Sequence, residues 1–463
     1  MEPLGPLGPS STDALYFNPD VEPFLNTAPM RDVQWEKLRH AIRFAYEKVP
    51  YDRERMDAAG VTPDDIRSLA DFGSSLPPVR QADFRAVFER FDLDMDRSFL
   101  HLFGRERMDD IHFISTTSGT TGIPTPYPFF HKTFPLAAEL FGRVGWRAGF
   151  VPGTKLALLF GLSMHVAGIP QVFWFSRLRG VTVLNIGAEV GTERILKAMK
   201  LFGANAMTCT PSLATYLIEK CPEVLGHPVG DLRVKVLLLG AEPGAGIPEV
   251  RARLEEAYGA TVLDVGAGYG VSCAHPVYQG MHWIADDHCL YELVDPVTYE
   301  PVPLEDGARG LACFTALAPE AGLFYHHLRI SMNDIHEVTT SPCPCGRSGF
   351  RYRIVGRGDD MLKVKGVSVY PASVQGVING FVPRVTGAFR IVLTERPPLV
   401  TPPLKLKVEW GEGRSEADLP ALETELVAKM RAACEINPAI TWLPPLSLER
   451  ATKKTQLIEK QYE

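Results

Sequence analysis

Apolar positions recur at helical spacing over residues 35–46, where Leu38, Ile42, Phe44 and Ala45 form one stripe. From roughly 110 to 320, short apolar runs alternate with stretches of helical period. The runs 156–160, 181–186 and 234–239 predict strands, and the patterns Thr192–Phe202 and Pro248–Tyr258 predict helices. Such alternation predicts an α/β body with parallel-rich sheets, whose ligands gather at the carboxyl ends of the strands. Beyond Gly356-Arg357-Gly358-Asp359-Asp360 the pattern changes. It predicts a strand pair over 361–371, a helix over 372–381, strands over 387–393 and 404–410, a helix over Leu419–Cys434 and a last strand over 440–443. That is a small α+β unit of about a hundred residues. The chain therefore divides into an N-terminal tail (1–34), a large multi-subdomain body (35–357) and a small C-terminal domain (358–463).

Composition narrows the class without changing the layout. The 463 residues are 45% hydrophobic and 22% charged, as in soluble globular proteins of more than one domain. No apolar run is long enough to span a bilayer, so a membrane is not an expected partner. The first residues, MEPLGPLGPSSTDALYF, have no basic n-region and no apolar h-region, which excludes a secretory signal; their Pro/Gly/Ser content predicts a poorly ordered tail. Formal charge is −7 with no Lys/Arg run, so nucleic acid is not an expected partner either. Eight cysteines are too few for a disulfide scaffold at this length, and a cytoplasmic location is expected.

The stretch Ser115-Thr116-Thr117-Ser118-Gly119-Thr120-Thr121-Gly122-Ile123-Pro124-Thr125 follows an apolar run (111–114) that reads as a strand. Glycines allow close backbone approach, and exposed N–H groups with Ser/Thr hydroxyls can surround phosphate oxygens. The Gly-Lys-Ser/Thr ending of a Walker loop is absent. The ordered TSGTTG-x-P-T string resembles the nucleotide-binding loop of the adenylate-forming superfamily: acyl-CoA synthetases, adenylation domains and luciferases. The text from Val49-Pro50-Tyr51-Asp52-Arg53 to Leu76-Pro77-Pro78-Val79 is similar to the N-terminal stretch of phenylacetate–CoA ligases, one branch of it. Further blocks follow in that branch's order, so the resemblance runs from about Trp35 to Glu459.

The resemblance implies a large nucleotide- and substrate-binding body with a mobile, swivelling C-terminal domain. It assigns the phosphates to Ser118, Gly119, Thr120, Thr121 and Gly122, with Thr121 also among the catalytic residues. Gly240-Ala241-Glu242-Pro243 would help form the adenine pocket, with Tyr269 stacking on the ring. In the block Arg329-Ile330-Ser331-Met332-Asn333-Asp334, Asp334 would accept from the ribose hydroxyls, and Arg329 belongs to the same site. Arg357, between Gly356 and Gly358, would reach ribose or phosphate at the domain hinge. Ser447-Leu448-Glu449-Arg450-Ala451-Thr452-Lys453-Lys454 aligns with the segment that ends on the catalytic lysine; Lys454 takes that role, with Lys453 as the alternative. Phe160, Gly161, His165 and residues 266–269 are candidate walls of the acid pocket, or else core.

Two features stand apart. Active relatives carry an aromatic–Gly–x–Ser/Thr–Glu string whose glutamate ligates Mg2+, yet Leu263-Asp264-Val265-Gly266-Ala267-Gly268-Tyr269-Gly270-Val271-Ser272-Cys273 has no glutamate. Its loss implies weak adenylation, water-mediated metal binding or a changed reaction. Separately, Cys343-Pro344-Cys345-Gly346-Arg347 forms a tight knuckle, and His275 and His282 lie upstream beside Cys273 and His288. Relatives carry a similar knuckle, and His275, His282, Cys343 and Cys345 are the expected ligands of a structural zinc.

The leading expectation is ATP-dependent activation of a carboxylic acid, aromatic in this branch, to an acyl-adenylate with release of pyrophosphate, then transfer to coenzyme A. Transfer to an amine, hydroxyl or carrier protein is the second reading, and a nucleotide-binding relative without turnover the third. The implied cofactors are ATP, Mg2+, coenzyme A and Zn2+. The implied partners are the small acid and the acyl acceptor, with a homodimer as the assembly to consider.

Overall fold

The computed structural model describes residues 18, 20–116, 126–266, 269–321, 326–358, 360–365, 367–448 and 457–462. The stripe at 35–46 lies within a longer helix, Ala28–Lys48, which buries Met30, Leu38, Ala41, Ile42 and Ala45. Its first turn carries a proline, and it stops at Val49, whose extended backbone suits the residue before a proline. The next helix, Pro50–Ala59, ends on Gly60 in the left-handed region (φ 67°). One boundary needs correction: residues 20–34 are no tail. Val21, Leu25 and Met30 are buried, and the Asn26 N–H donates to Asp286. The periodicity that marks a helix in sequence begins after the contacts that already fix the chain.

Strands β1 (Ile111–Thr116) and β2 (Pro126–Phe130) pair antiparallel on their own. The main sheet holds β3 (Thr154–Leu158), β4 (Val181–Asn185), β5 (Ala206–Cys209), β6 (Val236–Gly240), β7 (Thr261–Gly266), β8 (Gly270–Ser272), β9 (Met281–Trp283), β10 (Cys289–Val294), β11 (Pro301–Val302), β12 (Arg309–Ala316), β13 (Asp334–Thr339) and β14 (Arg351–Arg357). Among the described residues its order is β11-β10-β12-β13-β14-β9-β8-β7-β6-β5-β3-β4. The β4-β3-β5-β6-β7 half is parallel, as predicted, and everything from β8 onward is antiparallel. Parallel strands are apolar on both faces because both are covered. Leu156, Leu238 and Leu263 join one core with Phe141 and Trp174, whereas Ala157, Leu237 and Val262 join another with Leu196, Leu217 and Leu254.

The C-terminal part has its own core. Strands β15 (Leu362–Val364), β16 (Val367–Val369) and β18 (Leu399–Val400) form one small sheet. The other contains β17 (Val385–Leu393), β19 (Lys405–Trp410), β20 (Ala439–Leu443) and β21 (Ile458–Lys460). Helices Pro371–Asn379 and Leu419–Cys434 pack on them through Val374, Ile378, Leu422, Leu426 and Met430. This core contains no described residue before Leu362.

A buried ionic network binds the N-terminal segment to the body. Arg143, on helix Thr133–Arg147, donates to both oxygens of Asp287 at 2.8 and 2.9 Å and to Glu139 at 2.6 Å. Asn18 reaches the same Glu139 oxygen at 2.7 Å, and Lys37 donates to the Asp287 carbonyl at 2.6 Å. Burial alone would raise the Glu139 pKa, but the hydrogen bond from His288 and the Arg143 charge hold it at about 2. Arg143→Met strips the guanidinium from two buried carboxylates and is expected to cost about 3–5 kcal/mol in urea unfolding at pH 7. The Glu139 share is present above the ordinary carboxylate pKa of about 4.3 and is lost as pH falls toward 2. Accordingly, the stability gap between wild type and Glu139→Gln is expected to shrink over that window; a gap constant with pH would contradict this assignment.

Candidate active site and metal cluster

Three strand ends converge on the expected nucleotide region. The end of β1 is tied to the segment after β3, since Thr116 donates its N–H to the Met164 carbonyl at 2.5 Å and accepts from Val166 at 3.0 Å. The loop that follows, with Ser118, Gly119, Thr120, Thr121 and Gly122, lies outside the described residues. At the end of β6, Gly240 allows a close approach: a Cβ there would lie 2.4 Å from the Val265 carbonyl oxygen. Ala241 turns the chain in the left-handed region (φ 68°) and is exposed, as is Pro243. Glu242 accepts from the Ser212 N–H at 2.7 Å, so its carboxylate braces the first turn of helix Pro211–Leu225.

Asp334 and Arg357 face each other across the β13–β14 pair. Arg357 Nη1 donates to Asp334 Oδ1 at 3.1 Å, and its Nε lies 3.7 Å from Asp360 Oδ2. Both side chains of the pair stay partly open, 27% for the arginine and 21% for the aspartate. The ends of two strands thus hold a carboxylate and a guanidinium at solvent. Arg329 is different: it is 1% exposed, donates to the Leu76 carbonyl and lies 3.4 Å from Glu292. At this exposure its guanidinium presents no open surface to a ligand, although Nε and Nη2 are buried without a hydrogen-bond partner among the described residues, which corrects its assignment to the binding site.

Tyr269 is also corrected. It is 1% exposed and edge-on to Trp283, with ring centroids 5.6 Å apart, so no face of it is open to adenine. Phe160 is buried, while Gly161 and His165 are partly exposed. None of the candidate positions for the absent glutamate supplies a carboxylate. Gly270 sits under Tyr352, Val265 is apolar, and Cys273 belongs to another cluster. The lone acid of the segment, Asp264, accepts from the Tyr278 hydroxyl at 2.7 Å. Burial pushes its pKa up to about 6. It lies beside Val262 on β7, on the face opposite Leu263 and Val265, and sequence spacing alone gives no signal for its pairing.

The cysteine knuckle meets β8 and β9. One atom each from Cys273, His282, Cys343 and Cys345 lie within 4.8 Å of one another. Cys273 and Cys343 sulfurs are 3.9 Å apart, and Cys345 Sγ is 3.4 Å from His282 Nε2. Bonds of about 2.3 Å to sulfur and 2.0–2.1 Å to nitrogen give tetrahedral edges of roughly 3.5–3.8 Å, so these spacings suit zinc. His282 Nδ1 sits 3.0 Å from the Ser348 carbonyl, which orients Nε2 toward the thiols. Burial and the Arg147 charge push the His282 pKa down to about 4, so the ring is neutral at pH 7. His275 is not in the cluster. It is partly exposed and its Nδ1 is engaged by the backbone of Val277, two residues on. Cys273 takes the place expected of His275, because the chain leaves β8 at Cys273 and turns outward before His275.

Comparison with known proteins places this geometry. A family model described as the AMP-binding enzyme C-terminal domain matches residues 366–461. A phenylacetate-coenzyme A ligase of Thermus thermophilus is 31% identical over 448 residues, covering 92% of this chain and 95% of that protein. A phenylacetate-coenzyme A ligase of Aromatoleum evansii is 27% identical, covering 94% and 95%. Among solved structures, 2-hydroxyisobutyryl-CoA ligase in the postadenylation state with 2-HIB-AMP superposes with a TM-score of 0.82 at 24% identity, over 98% of this chain and 94% of that one. The same ligase in the thioesterification state, with 2-HIB-AMP and CoA, gives 0.66 over 99% and 94%.

Within the segment matched by the C-terminal model, sequence reading passes over Glu409, a mid-strand acid on β19. It is 0% exposed and accepts from Thr386 Oγ1 at 2.8 Å, from the Leu448 N–H at 2.5 Å and from the Leu446 N–H at 3.3 Å. Lys453 and Lys454 lie outside the described residues, but the chain that leads to them is fixed by this carboxylate. Glu409→Ala removes the acceptor of two backbone donors, a cost of about 1–3 kcal/mol each if they stay buried. Amide exchange at Leu446 and Leu448 is expected to accelerate at least tenfold while β3–β7 is unchanged; unchanged protection at both amides would refute the anchoring role.

Proposed function

We infer the function from one premise: the chain belongs to the phenylacetate–coenzyme A ligase family of adenylate-forming enzymes. It activates a carboxylic acid with ATP and passes the acyl group to coenzyme A. One observation carries this reading, the similarity to a phenylacetate-coenzyme A ligase along 95% of that protein's length. In the first step a carboxylate oxygen bonds to the α-phosphorus and pyrophosphate leaves with the electron pair. In the second, the thiolate of coenzyme A attacks the acyl carbon and AMP leaves. The acid we propose is an arylacetic or aromatic one.

Each group has a task suited to its chemistry. Ser118, Gly119, Thr120, Thr121 and Gly122 surround the triphosphate with N–H and hydroxyl donors. Gly240, Ala241, Glu242 and Pro243 line the adenine side. Asp334 accepts from the ribose hydroxyls, and its hydrogen bond from Arg357 orients it. Lys454 brings an ammonium to the reacting carboxylate and α-phosphate, where preorganised charge lowers the barrier. A protein-held magnesium does not fit the β7–β8 segment, whose one carboxylate is spent on Tyr278. That same observation favours a second reading, an acceptor other than coenzyme A (an amine, a hydroxyl or a carrier protein). We also propose zinc at Cys273, His282, Cys343 and Cys345, a closed four-ligand site that braces loops and has no open position for catalysis. A cytoplasmic setting is part of the proposal, because it keeps the cysteine thiols free.

Pyrophosphate–ATP exchange over a panel of aromatic acids tests the first step, and thioester formation tests the second. Exchange with an arylacetic acid and coenzyme A-dependent thioester are both expected. Exchange without thioester would move the assignment to another acceptor, and ATP binding without exchange for any acid would remove the ligase reading. Lys454→Ala is expected to lower exchange at least a hundredfold and to spare ATP binding; unchanged exchange would displace the role from Lys454. Metal analysis of purified protein is expected to give one zinc per chain, lost in Cys273→Ser and retained in His275→Ala. Zinc retained in Cys273→Ser and lost in His275→Ala would restore the ligand set expected from sequence.

A further inference from the structure

Well away from the carboxyl ends of the strands, a cavity of about 420 Å3 opens beside the start of β7. Lys235 immediately precedes β6, Thr261 opens β7, and the Thr261 N–H donates to the Lys235 carbonyl at 2.9 Å, so both face this end of the sheet. Arg251, on helix Pro248–Tyr258, forms a further wall although only 3% of it is exposed. Its Nε is spent on Glu255 at 2.8 Å and its Nη2 on the His275 carbonyl at 3.0 Å. Nη1 is buried and has no hydrogen-bond partner among the described residues. The Lys235 ammonium and the Thr261 hydroxyl likewise make no hydrogen bond or ion pair among the described residues. Ala274 and Pro276 supply an apolar side.

The donor set decides the chemistry. An orphaned buried guanidinium N–H costs free energy until an acceptor meets it. Two cations face one carboxylate, and that carboxylate is already engaged by Arg251. The C-terminal end of helix Pro248–Tyr258 opposes an anion, but by a partial charge only. Ammonium, guanidinium and hydroxyl on separate walls suit the diverging oxygens of a tetrahedral anion better than the two coplanar oxygens of a carboxylate. The volume exceeds what a bare ion fills and lies in the range of small-molecule sites. We propose that this cavity binds a small phosphate monoester, its phosphate held by Arg251, Lys235 and Thr261 and its organic part against Ala274 and Pro276. The site is separate from the nucleotide site and is independent of the acid and acceptor proposed above. Because Arg251 also holds the His275 carbonyl, two residues from Cys273, occupancy bears on the cysteine cluster.

Calorimetric titration of the full chain with glycerol 3-phosphate, in saturating AMP to fill the nucleotide site, tests this. One equivalent is expected to bind, and affinity is expected to fall at least tenfold in Lys235→Ala and in Thr261→Val. Lys235 is exposed, so its variant keeps the fold, and an AMP titration of each variant checks that the nucleotide site is unaltered. Inorganic phosphate is expected to bind more weakly than the monoester, and acetate at least tenfold more weakly than phosphate. No binding to wild type, equal affinity in both variants, or acetate binding as tightly as phosphate would each overturn the proposal.

Discussion

The Tyr352 ring lies against two glycines, and the two halves of the main sheet depend on that contact. Its hydroxyl donates to the Gly266 carbonyl at 3.2 Å, where the last parallel strand ends. A Cβ at Gly266 would lie 2.9 Å from the Tyr352 oxygen, and one at Gly270 only 2.1 Å. The ring is pinned from behind by His336, stacked at 4.6 Å and 8°. Parallel β7 can therefore reverse into antiparallel β8 only where side chains are absent. This is the segment on which the family's magnesium-binding glutamate is expected. Close packing leaves no volume there for a longer side chain without displacing a buried ring. At Gly266 and Gly270 the seat of this ring therefore excludes a carboxylate side chain.

The cysteine cluster ties the same strands at a second point. Cys273 follows β8 directly, His282 lies within β9, and Cys343 and Cys345 sit in the turn before β14. Tyr352 pairs with Met281 and Arg351 with His282, so the ring and the cluster are one residue apart along the β14–β9 ladder. The two short strands β8 and β9 have three residues each and so few ladder bonds of their own. The zinc proposed above would add cross-links between them, as happens where apolar area is scarce.

How much of this was legible in sequence varies with length and period. Helices Thr192–Phe202 and Pro248–Tyr258 match their expected bounds, since each has an apolar stripe and a left-handed glycine just past its end. The antiparallel half was not legible: β8 and β9 have three residues each, too few for any period to show. Tyr269 reads as a ligand-facing aromatic because it precedes a glycine, yet it lies in the core. His275 and Cys273 differ by two positions, and spacing cannot say which one the turn after β8 leaves inside. Asp334 and Arg357 were found through motif order, and the register of β13 and β14 then supplied their pairing. Glu409 carries no sequence signal, because an acid in mid-strand reads as a solvent-facing residue.

The domain boundary follows from the same kind of close approach. Gly356 suggests hinge freedom in sequence, but it is a strand residue of β14, and its lack of a side chain admits Tyr370. A Cβ there would fall 2.3 Å from that ring. Tyr370 belongs to the C-terminal domain, and it packs on a patch of the body formed by Val294, Leu311, Cys313, Ile335 and Val355. Gly358 is tied back by its N–H to the Asn333 carbonyl at 2.7 Å, so rotation must begin beyond it. Parting the C-terminal residues from the body would mean, among other contacts, lifting this half-buried tyrosine from a glycine-floored seat. At about 25 cal/mol per Å2 over part of an aromatic side chain, that costs on the order of 2 kcal/mol. The contact is one that any rotation of the C-terminal residues would have to break.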